Sequence, residues 1–229
     1  MSIQRGKGDF CIVIPAYNAG ATLGVLINKL VKLNLATRTI IVDDGSSDDT
    51  YIIAQKMGLK IIRHPQNYGK GAALLSGFNY CKNRTEFIVT MDADNQHEPA
   101  NITLLLEALH DKNSDILIGK RSVSIKYMPL ARFFSNYLTS LIVSIRAGQK
   151  IIDSQCGFRA IRSRILRNTR LETRHFETES ELLIKASICG FKIDSFPINT
   201  VYSKSAKSSI RPLVDTLRFI RLIIKSLFW

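Results

Sequence analysis

Short apolar runs alternate with segments of helical period through the first half of the chain. Phe10-Cys11-Ile12-Val13-Ile14 is a continuous apolar run closed by Pro15, the pattern of a buried strand. Leu23, Leu26, Ile27, Leu30 and Val31 recur at helical spacing. Thr39–Val42, Leu59–Ile62, Phe87–Met91 and Ile116–Ile118 read as four further strands. Between them, Lys70–Cys81 reads as a helix of small residues and Pro99–His110 as a helix with proline at its start. Ser46 or Ser47 is placed to cap a helix after the second strand, with Asp48 and Asp49 in its first turn. This alternation, with connections of a few residues, predicts an α/β fold with a doubly wound, mostly parallel sheet flanked by helices. Ligands of such sheets bind beyond the carboxyl ends of the strands. Three polar segments fall there: Pro15-Ala16-Tyr17-Asn18, Asp43-Asp44-Gly45-Ser46 and Asp92-Ala93-Asp94-Asn95-Gln96.

The pattern changes after Gly119. Met128–Ile145 reads as a helix with a broad apolar face, suited to a membrane surface or a dimer contact, and Gln149–Phe158 as a loop. Glu177–Ile188 reads as a helix stopped by Gly190, and Phe191–Tyr202 as one or two strands around Pro197. In a last helix, Pro212–Trp229, Leu213, Leu217, Ile220, Ile224 and Leu227 share one face, while Arg218, Arg221 and Lys225 share another. The 229 residues, 45% hydrophobic and 22% charged, suffice for a full core and exclude a disordered, collagenous or disulfide-scaffold chain. The longest uncharged run, Phe10–Asn28, is broken by Pro15 and by glycines and asparagines, so no membrane span is expected. Met1–Lys7 leads into a strand rather than a signal sequence. Cys11, Cys81, Cys156 and Cys189 form no C-x-x-C pair, which points to reduced thiols and a cytoplasmic setting.

Net charge is +13, and its placement is uneven. Residues 1–119 hold 12 basic and 12 acidic side chains; residues 120–229 hold 20 and 7. The first half is a neutral site half and the second faces anions. One class of partner with that property is nucleic acid, but no RNA-binding motif, helix-turn-helix or zinc-finger pattern is present.

The carboxylates of Asp92 and Asp94, one residue apart at a strand end, can approach one hard divalent cation, and Gln96 can add a carbonyl oxygen. A capped turn is the structural alternative. Asp44 at the neighbouring strand end can accept from a nucleobase or ribose, and Tyr17 can stack on a base. Lys70 between Gly69 and Gly71 at a helix start suits an anion. Neither a P-loop nor G-x-G-x-x-G is present, which weakens ATPase and dinucleotide readings.

Ile12-Val13-Ile14-Pro15-Ala16-Tyr17-Asn18, Ile41-Val42-Asp43-Asp44-Gly45-Ser46-Ser47-Asp48, Asn67-Tyr68-Gly69-Lys70-Gly71 and Met91-Asp92-Ala93-Asp94-Asn95-Gln96-His97 together resemble glycosyltransferase family 2 and its GT-A fold, in order and in spacing. Gly119-Lys120-Arg121, Asp153-Ser154-Gln155-Cys156-Gly157-Phe158-Arg159 and Phe196-Pro197-Ile198 resemble its polyprenyl-phosphate branch, the dolichyl-phosphate mannosyltransferases. The resemblance implies a single GT-A domain over residues 1–210, with a nucleotide half (1–120) and an acceptor half (121–210), followed by a basic amphipathic helix (211–229). It implies that Pro15, Tyr17, Val42, Asp44, Lys70, Asp92 and Ala93 bind the nucleotide sugar, and that Asp94 and Gln96 hold Mg²⁺ or Mn²⁺. Asp94, Arg121, Asp153 and Arg159 would be catalytic. Arg159, Lys204, Lys207 and Arg211 would meet the acceptor phosphate. The implied activity is inverting transfer from a UDP- or GDP-sugar to a polyprenyl phosphate, by a cytoplasmic enzyme held peripherally on an anionic membrane. A soluble hydroxyl acceptor would instead need a base, for which Asp153, Glu177 and Glu179 are candidates. Three residues depart from the family pattern: Ala19 replaces a glutamate, Cys156 a serine and Asn95 an aliphatic residue.

Overall fold

The computed structural model describes residues 8–121, 130–198 and 212–229. Its first half runs β1 (Phe10–Ala16), α1 (Gly20–Lys32), β2 (Thr39–Asp43), α2 (Thr50–Lys56), β3 (Lys60–Arg63), α3 (Lys70–Cys81), β4 (Phe87–Thr90), α4 (Asn101–Asp111) and β5 (Ile116–Arg121). The second half adds α5 (Leu130–Ala147), β6 (Arg159–Arg162), α6 (Ser163–Asn168), α7 (Thr178–Ile188), β7 (Ile193–Ile198) and α8 (Pro212–Ser226). Seven strands form one sheet in the order β3-β2-β1-β4-β6-β5-β7.

β1 is buried along its whole length, which is why it reads as an unbroken apolar run rather than an alternation. It pairs in parallel with β2 as far as Ala16 but with β4 only as far as Val13. Pro15, which has no N–H, thus falls where β4 has already ended, and its missing donor leaves no gap in that ladder. The strand order turns from descending to ascending numbers at β1 and β4, so the crevice of the sheet opens between their carboxyl ends. α1 turns Leu23, Leu26, Ile27 and Leu30 inward, the face expected from their spacing.

One feature here departs from the sequence reading. β6, Arg-Ala-Ile-Arg, enters the sheet antiparallel between β4 and β5, and α6 follows it. The strand is short and ends in arginines at both sides, so it carries no hydrophobic period. Of the one or two strands expected around Pro197, the described residues form one, with Pro197 inside it: β7 is the last strand in the order, and an edge strand tolerates a residue without N–H.

A second correction concerns the start of α2. Neither Ser46 nor Ser47 caps it, and no acidic residue lies in its first turn. Asp48 does the work from outside the helix. Its Oδ1 accepts from the Thr50 N–H (3.0 Å) and hydroxyl (2.5 Å), and its Oδ2 accepts from the Gly20 N–H at the start of α1 (2.9 Å). Ser46 instead accepts the Asn18 N–H through its hydroxyl (2.9 Å), and the Ser47 N–H donates to the Asn18 side chain (2.9 Å). The loops after β1 and β2 are thereby tied to each other. Among the described residues no helix is long and apolar enough to cross a membrane.

Candidate active site

The loops after β1, β2 and β4 meet at the crevice. Tyr17, the first residue past β1, is 44% exposed. Pro15, Val42 and Ala93 are buried, Val42 completely, so the structure offers a ligand little surface at these three predicted contacts. The Ala93 carbonyl already accepts from the Thr22 hydroxyl (2.7 Å).

Asp44 is a brace rather than an open acceptor. It is 2% exposed, and its carboxylate accepts the N–H groups of Tyr68 (3.0 Å) and Gly69 (2.7 Å) and pairs with His64 Nδ1 (2.6 Å). His64 Nε2 in turn meets the Ser76 hydroxyl on α3 (2.8 Å). A carboxylate offers about four lone-pair positions, and three are taken. Asp44 therefore shapes the 67–69 loop and the start of α3. The sequence reading left Asp44 free because it assigned capping to Asp48 and Asp49 and had no means of placing His64 beside it.

Lys70 opens α3 where it was expected, but its anions are internal. Its Nζ lies 2.8 Å from Asp92 Oδ1 and 2.9 Å from Glu179 Oε2. Burial alone would push its pKa down; Asp92 and then Glu179 outweigh burial and hold it above its ordinary value. Gly69 takes φ +106°, a conformation other residues rarely adopt, and a Cβ there would strike His175. A Cβ on Gly71 would lie 1.9 Å from the Thr178 hydroxyl, and the Ala72 N–H donates to the Arg174 carbonyl (2.8 Å). The first turn of α3 is therefore docked onto residues 174–178.

Arg159 departs furthest from expectation. It was placed against a phosphate; the structure buries it to 1% exposure. Its guanidinium donates to the carbonyls of Cys156 (2.8 Å), Glu179 (2.9 Å) and Ser154 (2.7 Å) and lies 3.7 Å from Glu179 Oε1. It knits the 153–159 loop to α7. Arg121 ends β5. Lys204, Lys207 and Arg211 lie outside the described residues.

The three candidate bases differ in setting. Glu179 sits between Lys70 and Arg159. Asp153 is buried beside the loop that Arg159 braces. Glu177 is buried at the start of α7, and its Oε2 makes no hydrogen bond among the described residues. The adjacent Glu181 is fully buried and staples its own chain: it accepts the N–H groups of Glu172 and Thr173 and pairs with Lys185 at 2.7 Å.

The Asp92-Ala93-Asp94 turn takes the form of the structural alternative in one respect: Asp94 Oδ1 accepts the Gln96 N–H (3.0 Å). The donor set is nonetheless all oxygen, and the turn stands at the mouth of the crevice. No cluster of three or more metal-binding side chains occurs among the described residues. The oxygen donors of Asp92, Asp94 and Gln96 are of the type that suits Mg²⁺ or Mn²⁺, ions usually bound by one or two carboxylates completed by substrate phosphate and water. On the other side of Asp92, a Cβ on Gly157 would come within 2.4 Å of its Oδ2, and the Thr90 hydroxyl donates to the Gly157 carbonyl (2.7 Å). The 153–159 loop is thus packed directly against the strand-end carboxylate.

Known proteins agree with this architecture. The family model described as glycosyl transferase family 2 matches residues 11–170. A UDP-N-acetylglucosamine–dolichyl-phosphate N-acetylglucosaminyltransferase of Methanococcus voltae is 31% identical, over 93% of this chain and 94% of its own. A polyprenol monophosphomannose synthase of Mycolicibacterium smegmatis is 28% identical, over 87% and 82%. Among solved structures, glucosyl-3-phosphoglycerate synthase of Mycobacterium tuberculosis, in complex with Mn²⁺, UDP and phosphoglyceric acid, superposes with a TM-score of 0.74 at 20% identity, covering 97% of this chain and 78% of that one. Taken with the mostly parallel sheet and its crevice, these likenesses make the protein a GT-A-fold glycosyltransferase, and the chain belongs to glycosyl transferase family 2.

Proposed function

We propose that the protein moves a sugar from a UDP- or GDP-sugar to a polyprenyl phosphate at a membrane surface, with inversion at the anomeric carbon. One structural observation carries the choice of a lipid acceptor. Two helices, α5 in the acceptor half and the C-terminal α8, leave their apolar faces in solvent. On α5 these are Phe134 (63% exposed), Tyr137, Leu138, Leu141 and Ile145 (73%). On α8 they are Leu213, Leu217, Ile220 and Ile224, at helical spacing, continued just past its end by Leu227 and Phe228 (85%). The helices are joined at their carboxyl ends, where Arg146 on α5 donates to the Ser226 hydroxyl (2.9 Å) and carbonyl. Arg218, Arg221 and Lys225 flank the α8 stripe. An apolar stripe bordered by cations is the composition of a helix lying in a lipid interface with anionic headgroups. The names of the two relatives above, both transferases to lipid phosphates, support the same reading.

In this reaction the bond between the anomeric carbon and the diphosphate breaks, the nucleoside diphosphate leaves with the electron pair, and an oxygen of the lipid phosphate forms the new bond. A phosphate oxygen attacks without losing a proton. That suits a site in which Glu179, one candidate base, is held between two cations. Bound by Asp94 with Asp92 or Gln96, Mg²⁺ or Mn²⁺ would supply Lewis-acid neutralisation of charge on the diphosphate. Tyr17, 44% exposed just past β1, is the aromatic that would stack on the base. Asp44 contributes by holding the 67–69 loop.

Thermal-shift measurements with UDP- and GDP-sugars, with and without Mn²⁺, test the donor site. A ligand at about 100 times its Kd stabilises by about 2.7 kcal/mol, well within reach. The expected result is a metal-dependent rise with one nucleotide, lost in Asp94→Ala. A folded protein that responds to neither nucleotide would contradict the proposal.

A further inference from the structure

We infer that Lys70 is a positioning residue that couples the donor side of the active site to the acceptor side. Its ammonium is shared between Asp92, at the end of β4 in the nucleotide half, and Glu179, at the start of α7 in the acceptor half. The inference rests on the glycosyl-transfer reading and adds to it a residue through which one substrate site senses the other.

The sharing follows from how the backbone is fixed. The Asp44 carboxylate grips the two N–H groups just before Lys70, and His64 and Ser76 hold Asp44. From the opposite side, residues 174–178 press on Gly69 and Gly71 too closely for any side chain there, and the Arg174 carbonyl accepts the Ala72 N–H. The Cα of Lys70 therefore has little room to shift, and only the flexible stem of the side chain can redistribute the charge. The Phe176 ring, 5.9 Å from Nζ, and the packed Gly157–Asp92 contact limit that motion to the gap between the two carboxylates. Glu179 is 9% exposed on its side chain and held from behind by Arg159, whereas Asp92 is 26% exposed at the crevice.

The consequence is electrostatic. A nucleoside diphosphate brings negative charge to the Asp92 end of this trio. Whatever weakens the grip of Glu179 on Lys70 releases the ammonium toward Asp92 and the incoming anion. A second anion arriving near Glu179 competes for the same ammonium. Lys70 thus transmits charge at one site into affinity at the other, in both directions, as linkage requires.

The test is a double-mutant cycle read out by nucleotide binding rather than by activity. Dissociation constants for UDP and for GDP, each with Mn²⁺, are measured by calorimetry on wild type, Glu179→Gln, Lys70→Met and the double variant. Glu179→Gln in the wild-type background is expected to tighten the bound nucleotide about fivefold, the lower end of ordinary coupling. With Lys70 replaced by Met, the same change is expected to have less than about a twofold effect. Lys70→Arg retains the charge and should restore part of the response. If Lys70→Met does not fold, Lys70→Gln completes the cycle with a polar side chain of similar length. An unchanged affinity in Glu179→Gln, or an equal effect with and without Lys70, would overturn the coupling while leaving the donor site intact. Failure of folded wild type to bind either nucleotide would overturn the donor reading, and the coupling with it.

Discussion

One kind of substitution, glycine to alanine within a helix, is expected to have opposite signs at two positions of this protein. In an exposed helix interior, alanine is favoured over glycine by about 0.5–1 kcal/mol because it restricts the unfolded chain. Gly24 in α1 is half-buried but has room for the methyl: an added Cβ would find only the Ile53 Cγ2, at an ordinary 3.7 Å. Gly71 in α3 does not. Its Cβ would sit 1.9 Å from the Thr178 hydroxyl oxygen and 2.6 Å from backbone atoms of Arg174 and His175, which cannot swing away as a flexible side chain would. Overpacking of this kind costs about 1–3 kcal/mol. Displacing the 174–178 segment also breaks the Ala72 N–H to Arg174 carbonyl bond, worth about 1 kcal/mol. After the helix gain is set against these, Gly71→Ala is left destabilised by about 2 kcal/mol. For a chain of this size that lowers Tm by about 4–8 °C, while Gly24→Ala raises it by about 1–4 °C. Paired differential scanning calorimetry on the two variants decides the matter. A Gly71→Ala midpoint at or above wild type would refute the docking of α3 onto residues 174–178, and with it the fixed position of Lys70.

Three other substitutions or conditions have definite expected outcomes. Arg159→Met removes one donor from each of three buried carbonyls and the cation beside Glu179, and should lower the urea-unfolding free energy by more than about 3 kcal/mol, whereas a loss under about 1 kcal/mol would mean the guanidinium is not a structural brace. The Asp48 carboxyl is held below its ordinary value of 3.8: burial opposes its charge, but the Thr50 hydroxyl and the N–H groups of Gly20 and Thr50 overcome it. Because the folded value is the lower one, this stabilisation is present above pH 3.8 and disappears as pH falls through the folded value. The urea midpoint of wild type should therefore drop more steeply as pH falls below about 3.8 than that of Asp48→Asn, and parallel curves there would exclude the role. Iodoacetamide on the native protein should alkylate exposed Cys189 first. Cys81 should resist, since its hydrogen bond to Cys11 and then burial push its thiol pKa up; early labelling at Cys81 in a peptide map would contradict this.

The sequence was most informative where a single physical signal dominates. Phe10–Ile14 is apolar throughout and Phe87–Met91 apolar but for Thr90, because central strands are covered on both faces, and they appear as β1 and β4 to within two residues. Lys70–Cys81 is α3 to the residue, since glycine marks its start. Hidden features depend on long-range contacts. β6 has no period of its own and forms because β4 and β5 offer it two edges. The carboxylate of Asp44 looked available to a ligand because His64, twenty residues on, gave no sign of turning toward it. An arginine before an apolar pair reads as a surface cation, yet Arg159 is buried because three carbonyls of a tight loop and a helix start point at one place. A run of acidic residues at a helix start reads as a favourable end charge. Here Glu179 pairs with Lys70, and Glu181 staples a loop. In each case the residue types were visible and the partners were not.

The central claim is that the acceptor nucleophile is a lipid phosphate. It is tested most directly by offering the enzyme, with Mn²⁺ and the donor that binds, two acceptors in the same vesicles: a short polyprenyl phosphate and the matching polyprenol without phosphate. The account predicts transfer of labelled sugar into the organic phase with the phosphate, none with the alcohol, and loss of transfer in Asp94→Ala. Transfer to the alcohol, or only to a water-soluble acceptor, would contradict it.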